Sequence, residues 1–151
     1  MGGRAFANKR FSYKSLSATD NSVVSRERAQ IAGMAEPEME ALDHARSLLR
    51  QRRIRDAAFP PGLFGEPAWD ALLTLYIARC EGRRLSRAGL CLSLNLPPAR
   101  SANWISALEA SRLIEKVRLP DQSETPGICI SDTGFHRVTM LMLDQEESVS
   151  N

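Results

Sequence analysis

The chain has 151 residues, a hydrophobic fraction of 43% and a formal net charge of +2, which suits one soluble domain with a core of its own. No apolar run approaches the roughly 20 residues of a membrane span, and the N-terminus lacks the apolar core of a secretory signal. We therefore expect a cytoplasmic protein that does not bind membranes. Three cysteines without C-x-x-C spacing and two distant histidines indicate neither a disulfide framework nor a metal site.

The charges are unevenly distributed along the chain. Residues 1–35 carry six basic and two acidic residues, and residues 79–118 carry eight basic and three acidic ones. A basic cluster is often only a solvated surface, but it is also the electrostatic footprint of a polyanion partner. The structural context of the second cluster therefore bears on function.

The first 35 residues are rich in Ser, Asn, Ala, Lys and Arg and lack a sustained apolar period, which predicts a disordered basic tail. Their acid-free start also resembles a transit peptide, and a basic arm that touches nucleic acid explains the composition as well. We expect the folded domain to span residues 36–146 and a polar tail to span 147–151.

Two helices open the predicted domain. Acidic residues at its start and basic residues at its end predict a first helix over about 37–58, because this order complements the helix dipole. Apolar residues at i, i+3, i+4 and i+7 predict a second helix over 67–81, which stops at a glycine. Trp69 and Tyr76 share its apolar stripe, so we expect them in the core and not in a ligand cage.

A helix-turn-helix pattern follows. A short helix over 86–94 has Ser86 as its N-cap, and Asn95 tolerates the left-handed backbone of a tight turn. Two prolines then start a helix over 97–110, because the first N–H groups of a helix have no intrahelical acceptor for proline to forfeit. Cys91 supplies the small residue needed where two such helices touch.

The chain then turns to strands and ends in a helix. Two short strands joined by a polar loop predict a β-hairpin over 113–131, and a final helix follows over 133–146. The final helix is apolar on nearly every side, which indicates burial against another chain. The complete order predicts a mainly α, winged helix-turn-helix fold with a small β-hairpin wing.

The stretch "RRLSRAGLCLSLNLPPARSANWISALEASRLIEKV", followed by the hairpin and "ISDTGF", resembles the MarR-type winged-helix transcriptional regulators. "LFGEPAWDALLTLYIA" is similar to the second helix of a bacterial branch of that family. The resemblance covers residues 36–146. It implies a homodimer formed by the N- and C-terminal helices, with the recognition helix 97–110 in the major groove and the wing beside the backbone or minor groove.

Several positions depart from the family pattern. Asn95 stands where Gly is usual in the turn, Ser101 where an aliphatic residue is usual, and Arg112 where Gly commonly ends the recognition helix. The wing loop "DQSETPG" lacks the usual Arg and carries the acidic Asp121 and Glu124. These two carboxylates argue against insertion of the wing into the minor groove.

We therefore predict a sequence-specific regulator that binds double-stranded DNA, because the basic residues 79–118 coincide with the helix-turn-helix pattern. The expected DNA-binding residues are Arg84, Arg87, Pro98, Ala99, Arg100, Asn103, Ser106 and Lys116. Of these, Arg100, Asn103 and Ser106 are expected at base edges. Arg84, Arg87 and Lys116 are expected at phosphates.

The alternative is a protein-interaction winged helix that has lost DNA binding. It is motivated by the acidic wing and by the two prolines, which delete phosphate-binding donors from the helix N-terminus. No nucleophile–base pair, phosphate loop or paired acid points to an enzyme. We expect no cofactor, and whether a small-molecule effector is sensed stays open.

Overall fold

Six helices and three short strands make up residues 18–119 and 124–149, which are the part of the chain described by a computed structural model. They are α1 (Ala18–Ala32), α2 (Glu36–Ala58), α3 (Pro67–Cys80), β1 (Leu85–Ser86), α4 (Arg87–Ser93), α5 (Pro98–Ala110), β2 (Ile114–Val117), β3 (Gly127–Ile130) and α6 (Asp132–Val149). This architecture is the predicted one, a mainly helical winged helix-turn-helix fold.

Local signals explain why most helices lie within a residue or two of their predicted bounds. The Ser86 hydroxyl accepts a hydrogen bond from the Gly89 N–H at 2.9 Å and so caps α4. Gly82 follows α3 in the left-handed region with φ of 70°, a conformation that glycine adopts without a steric penalty. The final helix differs, since α6 includes residues 147–149, which were predicted to be a tail. No glycine or proline follows Gly134 to stop it.

The prediction of a disordered tail over residues 1–35 is wrong for α1, which covers Ala18–Ala32; residues 1–17 lie outside the described residues. The α1 sequence contains neither glycine nor proline. Ile31 and Met34 pack against the hydrophobic core, and the Glu27 carboxylate pairs with Arg83 at 3.2 Å. These few long-range contacts hold α1 against the domain. Its own sequence has too little apolar periodicity to predict a helix.

The three strands form one antiparallel sheet in the order β1-β3-β2. β2 and β3 are the predicted hairpin, with Ile114 opposite Ile130. β1 adds a third strand that the sequence did not predict, with Leu85 opposite Ile128. Two residues are too short to display the alternation that marks a strand.

The core lies where α2, α3 and α6 pack together over one face of the sheet and against α5. Tyr76 is fully buried at its centre, as predicted for the apolar stripe of α3. Its ring stacks on Phe135 with centroids 4.8 Å apart, and its hydroxyl shares a hydrogen bond of 3.0 Å with Thr139. Burial raises the pKa of Tyr76 to about 12. The contacts of Tyr76 with Phe135 and Thr139 attach α6 to α3.

Candidate nucleic-acid interface

The turn between α4 and α5 closes through two backbone hydrogen bonds. Asn95 has φ of 53°, and its N–H donates to the Leu92 carbonyl at 3.1 Å while the Leu96 N–H donates to the Cys91 carbonyl at 3.0 Å. This pair is the Schellman helix ending, which requires a left-handed residue at the position of Asn95. Pro97 is then the N-cap of α5 and Pro98 its first residue, one residue later than predicted.

The contact between α4 and α5 contains two small polar residues. Cys91 and Ser101 are 2% and 0% exposed, and the Cys91 thiol donates to the Ser101 hydroxyl. The Ser101 hydroxyl donates in turn to the Pro98 carbonyl at 2.7 Å. Cys91 therefore fills the predicted helix–helix contact. A serine is tolerated at a normally aliphatic site because its hydroxyl is satisfied.

The far end of α5 is also held in a defined conformation. Arg112 has φ of 59°, and the N–H groups of Arg112 and Leu113 donate to the carbonyls of Glu109 and Leu108 at 2.9 and 3.0 Å. α5 thus ends in the same motif as α4. Its ends lie in two turns whose backbone geometry leaves little freedom.

All eight residues expected to bind DNA are exposed; they are Arg84, Arg87, Pro98, Ala99, Arg100, Asn103, Ser106 and Lys116. Five of them lie on α5; Ala99, Arg100, Asn103 and Ser106 are on the surface opposite its buried residues Ser101, Ile105 and Leu108, and Pro98 is exposed in the first turn. Arg87 is the first residue of α4, and Lys116 lies on β2 opposite Ile128. The structure thus distributes the predicted site over α5 and two flanking elements.

Carboxylates neutralise only part of the basic cluster over 79–118. Arg79 pairs with Asp132 at 2.7 Å, and Arg83 pairs with Glu27 and Glu81. The other six basic residues have no carboxylate partner among residues 18–119 and 124–149; they are Arg84, Arg87, Arg100, Arg112, Lys116 and Arg118. The positive charge that remains lies on the helix-turn-helix and the start of the hairpin.

Arg84 makes a contact that sequence reasoning missed. Its Nη1 donates to the Arg118 carbonyl at 2.9 Å, so its guanidinium braces the end of β2 against the segment that precedes β1. The partners are 34 residues apart, and no local pattern signals their pairing. The wing-loop positions Asp121 and Gln122 lie outside the described residues, while Glu124 is exposed.

A cleft of about 690 Å³ opens behind the turn, between the end of α2 and residues 59–65. Leu96, Arg100 and Arg52 are among the residues that line it. Arg52 bonds Asp70 at 2.5 Å and Glu66 at 2.8 Å. Burial alone would lower the pKa of Arg52, but these hydrogen bonds and charges outweigh it and raise the pKa.

The described part of the chain contains no group of three or more His, Cys, Asp or Glu side chains placed to hold a metal ion. Nor does any helix within it have the length and apolar character needed to cross a membrane.

The fold and the exposed face of α5 define a winged helix-turn-helix domain. No protein-family model matches the sequence, and no curated protein matches it. Among solved structures, the chain is similar to S. aureus MepR bound to ethidium bromide, with 15% identity and a TM-score of 0.46 over 68% of this chain and 72% of that one. It is also similar to a mutant of Lactococcus lactis ZitR, with 12% identity and a TM-score of 0.42 over 61% and 60% of the two chains.

Proposed function

We propose that this protein is a transcriptional regulator that binds double-stranded DNA in a sequence-specific manner, as a cytoplasmic homodimer with α5 in the major groove. One observation carries the proposal. The exposed face of α5 and the elements beside it bear basic side chains without carboxylate partners among the described residues, while the opposite face of α5 is buried in the core. A helix that is anchored on one face and has an open polar face flanked by basic side chains is what major-groove reading requires.

Base reading is assigned to residues on the open face of α5. Arg100 and Asn103 lie one turn apart and are both exposed, so they can enter the groove together. Arg pairs bidentately with guanine, and Asn pairs bidentately with adenine. Ser106 continues the same face by one turn, and the small Pro98 and Ala99 allow the helix start to approach the bases closely.

Phosphate binding is assigned to the flanking elements. Pro97 and Pro98 remove two N–H groups from the start of α5, so this helix end is a poor anion site. Arg87 on α4 and Lys116 on β2 replace those donors with full positive charges. Arg84 is also assigned to phosphate binding, because its guanidinium has five N–H donors and only one of them donates to the Arg118 carbonyl.

Dimerisation is assigned to the exposed apolar residues of the three outer helices. Val24 on α1, Met39 on α2, and Met140 and Leu141 on α6 are 40–47% exposed. A second copy packed against these residues would add a second α5, and the half-sites read by dimers of helix-turn-helix domains lie about 34–36 Å apart. Three free cysteines suit a reducing compartment such as the cytoplasm.

A protein-interaction domain is the second candidate, and the α2–α3 connection favours it. Phe59 and Leu63 are 50% and 61% exposed. The Phe59 and Phe64 rings meet edge to face at 5.1 Å, and Arg55 lies 5.1 Å above the Phe64 ring. Exposed and preordered aromatic side chains are typical anchors of protein interfaces.

A DNA-binding experiment separates the two candidates. A preferred duplex is first selected from a random library with the purified protein. Fluorescence anisotropy then compares that duplex with a scrambled one over a series of salt concentrations. We expect tighter binding to the selected duplex, and a loss of affinity with salt whose slope is about −0.9 per phosphate contacted. Equal binding to both duplexes, or none at low salt, would favour the protein-interaction candidate.

A further inference from the structure

The hydroxyl of Ser131 lies between the end of α5 and the start of α6. It donates to the Arg112 carbonyl at 2.6 Å and accepts from the Gly134 N–H at 3.0 Å. The Ser131 N–H donates to the Leu113 carbonyl at 2.9 Å. Ser131 is only 8% exposed, so water competes little for these bonds. One residue therefore caps α6 and holds two consecutive carbonyls that follow α5.

The backbones on the two sides of this contact are as close as glycine permits. A Cβ at Gly134 would collide with the Leu113 carbonyl oxygen and lie 2.9 Å from Cγ1 of Ile130. Real Cβ atoms essentially never lie within 3.0 Å of such atoms. The Leu113 oxygen belongs to the backbone, so it cannot rotate away as the end of a flexible side chain could. The first turn of α6 therefore packs directly against the backbone of Leu113, just after the end of α5.

We propose that Ser131 is a positioning residue for DNA reading, an inference that rests on the proposed function. Its hydroxyl, through Arg112, sets the angle at which α5 leaves the body of the domain. The same residue starts α6, which packs against α2 and α3 and forms part of the proposed dimer face. The clasp made by Ser131, Arg112 and Gly134 therefore links the dimer body to the reading helix.

Loss of the clasp affects two kinds of DNA contact differently. Bidentate base contacts need their side chains held to within about 0.5 Å. Phosphate contacts with long, flexible Arg and Lys side chains follow charge and tolerate small rotations of α5. A loosened clasp therefore lowers the affinity for the selected duplex and leaves that for scrambled DNA nearly unchanged.

Ser131→Asp separates capping from the clasp. An ionised Asp caps a helix as well as Ser does, but it has no proton to donate to the Arg112 carbonyl. We expect this variant to fold with a lower melting temperature than the parent, because the Arg112 carbonyl loses its donor and faces a buried carboxylate, and to lose about tenfold in the ratio of selected to scrambled affinity. Ser131→Thr keeps both functions of the hydroxyl and should keep the ratio.

Thr74→Val is the matched control, because the Thr74 hydroxyl is equally buried but bonds the Asp70 carbonyl within its own helix. It should alter the melting temperature without altering the ratio. A folded Ser131→Asp variant with the parent's ratio would overturn the positioning role. If Ser131→Asp does not fold, Ser131→Ala takes its place, and an unchanged ratio overturns the role there too. A parent protein that does not distinguish the duplexes would instead overturn the proposed function.

Discussion

The Cys91 sulfur lies 3.2 Å from the Ser101 oxygen, to which its thiol donates a hydrogen bond across the contact between α4 and α5. Because Ser101 donates onward to Pro98, a short chain of hydrogen bonds runs from α4 to the first turn of α5. Unsatisfied polar groups in such a contact would destabilise the fold by about 1–3 kcal/mol each. Because both polar groups are satisfied, Cys91 and Ser101 can pack together in a contact that usually holds one small and one aliphatic residue.

We expect Cys91 to react with a thiol reagent only as fast as the protein opens, since its sulfur is buried and bonded. Mass spectrometry of labelled peptides at neutral pH measures this rate, with the half-buried Cys129 as the internal reference. Burial and the nearby Glu115 raise the pKa of Cys129, so its own labelling should accelerate with pH. Rapid labelling of Cys91 in the native protein would point to a redox switch.

Arg112→Gly should stabilise the protein by about 1 kcal/mol, because the left-handed backbone at this residue is strained for any side chain with a Cβ. Chemical denaturation measures the change. Ser111→Gly is the control, since Ser111 has φ of −80° and its replacement relieves no strain. An Arg112→Gly variant no more stable than the parent would show that the Arg side chain contributes a compensating contact.

Leu141→Glu should convert a homodimer to a monomer, because it places a charge on the exposed apolar face of α6. Light scattering coupled to size-exclusion chromatography at micromolar concentrations tests this. Leu92→Glu is the control, as Leu92 is 81% exposed and lies on α4. Removing all of residues 133–151 is a poorer test, since it takes Val138 and Met142 from the core. A parent protein that is itself monomeric would contradict the dimer.

Stability should fall on the alkaline side in two overlapping stages. Burial raises the pKa of Cys80 from 9.0 to about 11 and that of Tyr76 from 10.0 to about 12. Both groups are neutral in the fold, so their stabilisation is complete below the unfolded values and is lost as pH rises through the folded ones. Urea unfolding between pH 8 and pH 12 measures it. Cys80→Ala should flatten the decline between pH 9 and 11, and an identical decline in both proteins would refute the assignment.

Arg100→Ala and Asn103→Ala should each weaken binding to the selected duplex by about 1–3 kcal/mol and affect scrambled DNA far less. Lys116→Ala should weaken both alike and reduce the salt slope by about one, because a phosphate contact carries no sequence information. Arg50→Ala, an exposed arginine on α2, is the control. If the two α5 variants bind both duplexes as the parent does, α5 does not read bases.

Much of the fold was predictable because its signals are local. Ser86 caps α4 by accepting a hydrogen bond from the Gly89 N–H three residues away, and the two prolines at the start of α5 fix where that helix begins. Within residues 18–119 and 124–149, Asn95 and Arg112 are the two residues other than glycine that have a left-handed backbone, and both were identified from their places in the pattern. The exposed side of α5 follows from helical spacing alone, so the candidate base-reading residues could be named in advance.

The sequence by itself determined where most of the helices and the hairpin lie, because caps, prolines and apolar periods act within a few residues of the positions they mark. Only the tertiary structure decided how these elements are joined. The attachment of α1 through Glu27 and Arg83, the brace from Arg84 to Arg118, and the clasp between Ser131 and Arg112 link residues 19 to 56 positions apart. Such contacts depend on the relative placement of packed elements. A hydrogen bond between distant residues leaves no period in the chain, and so no local pattern records it.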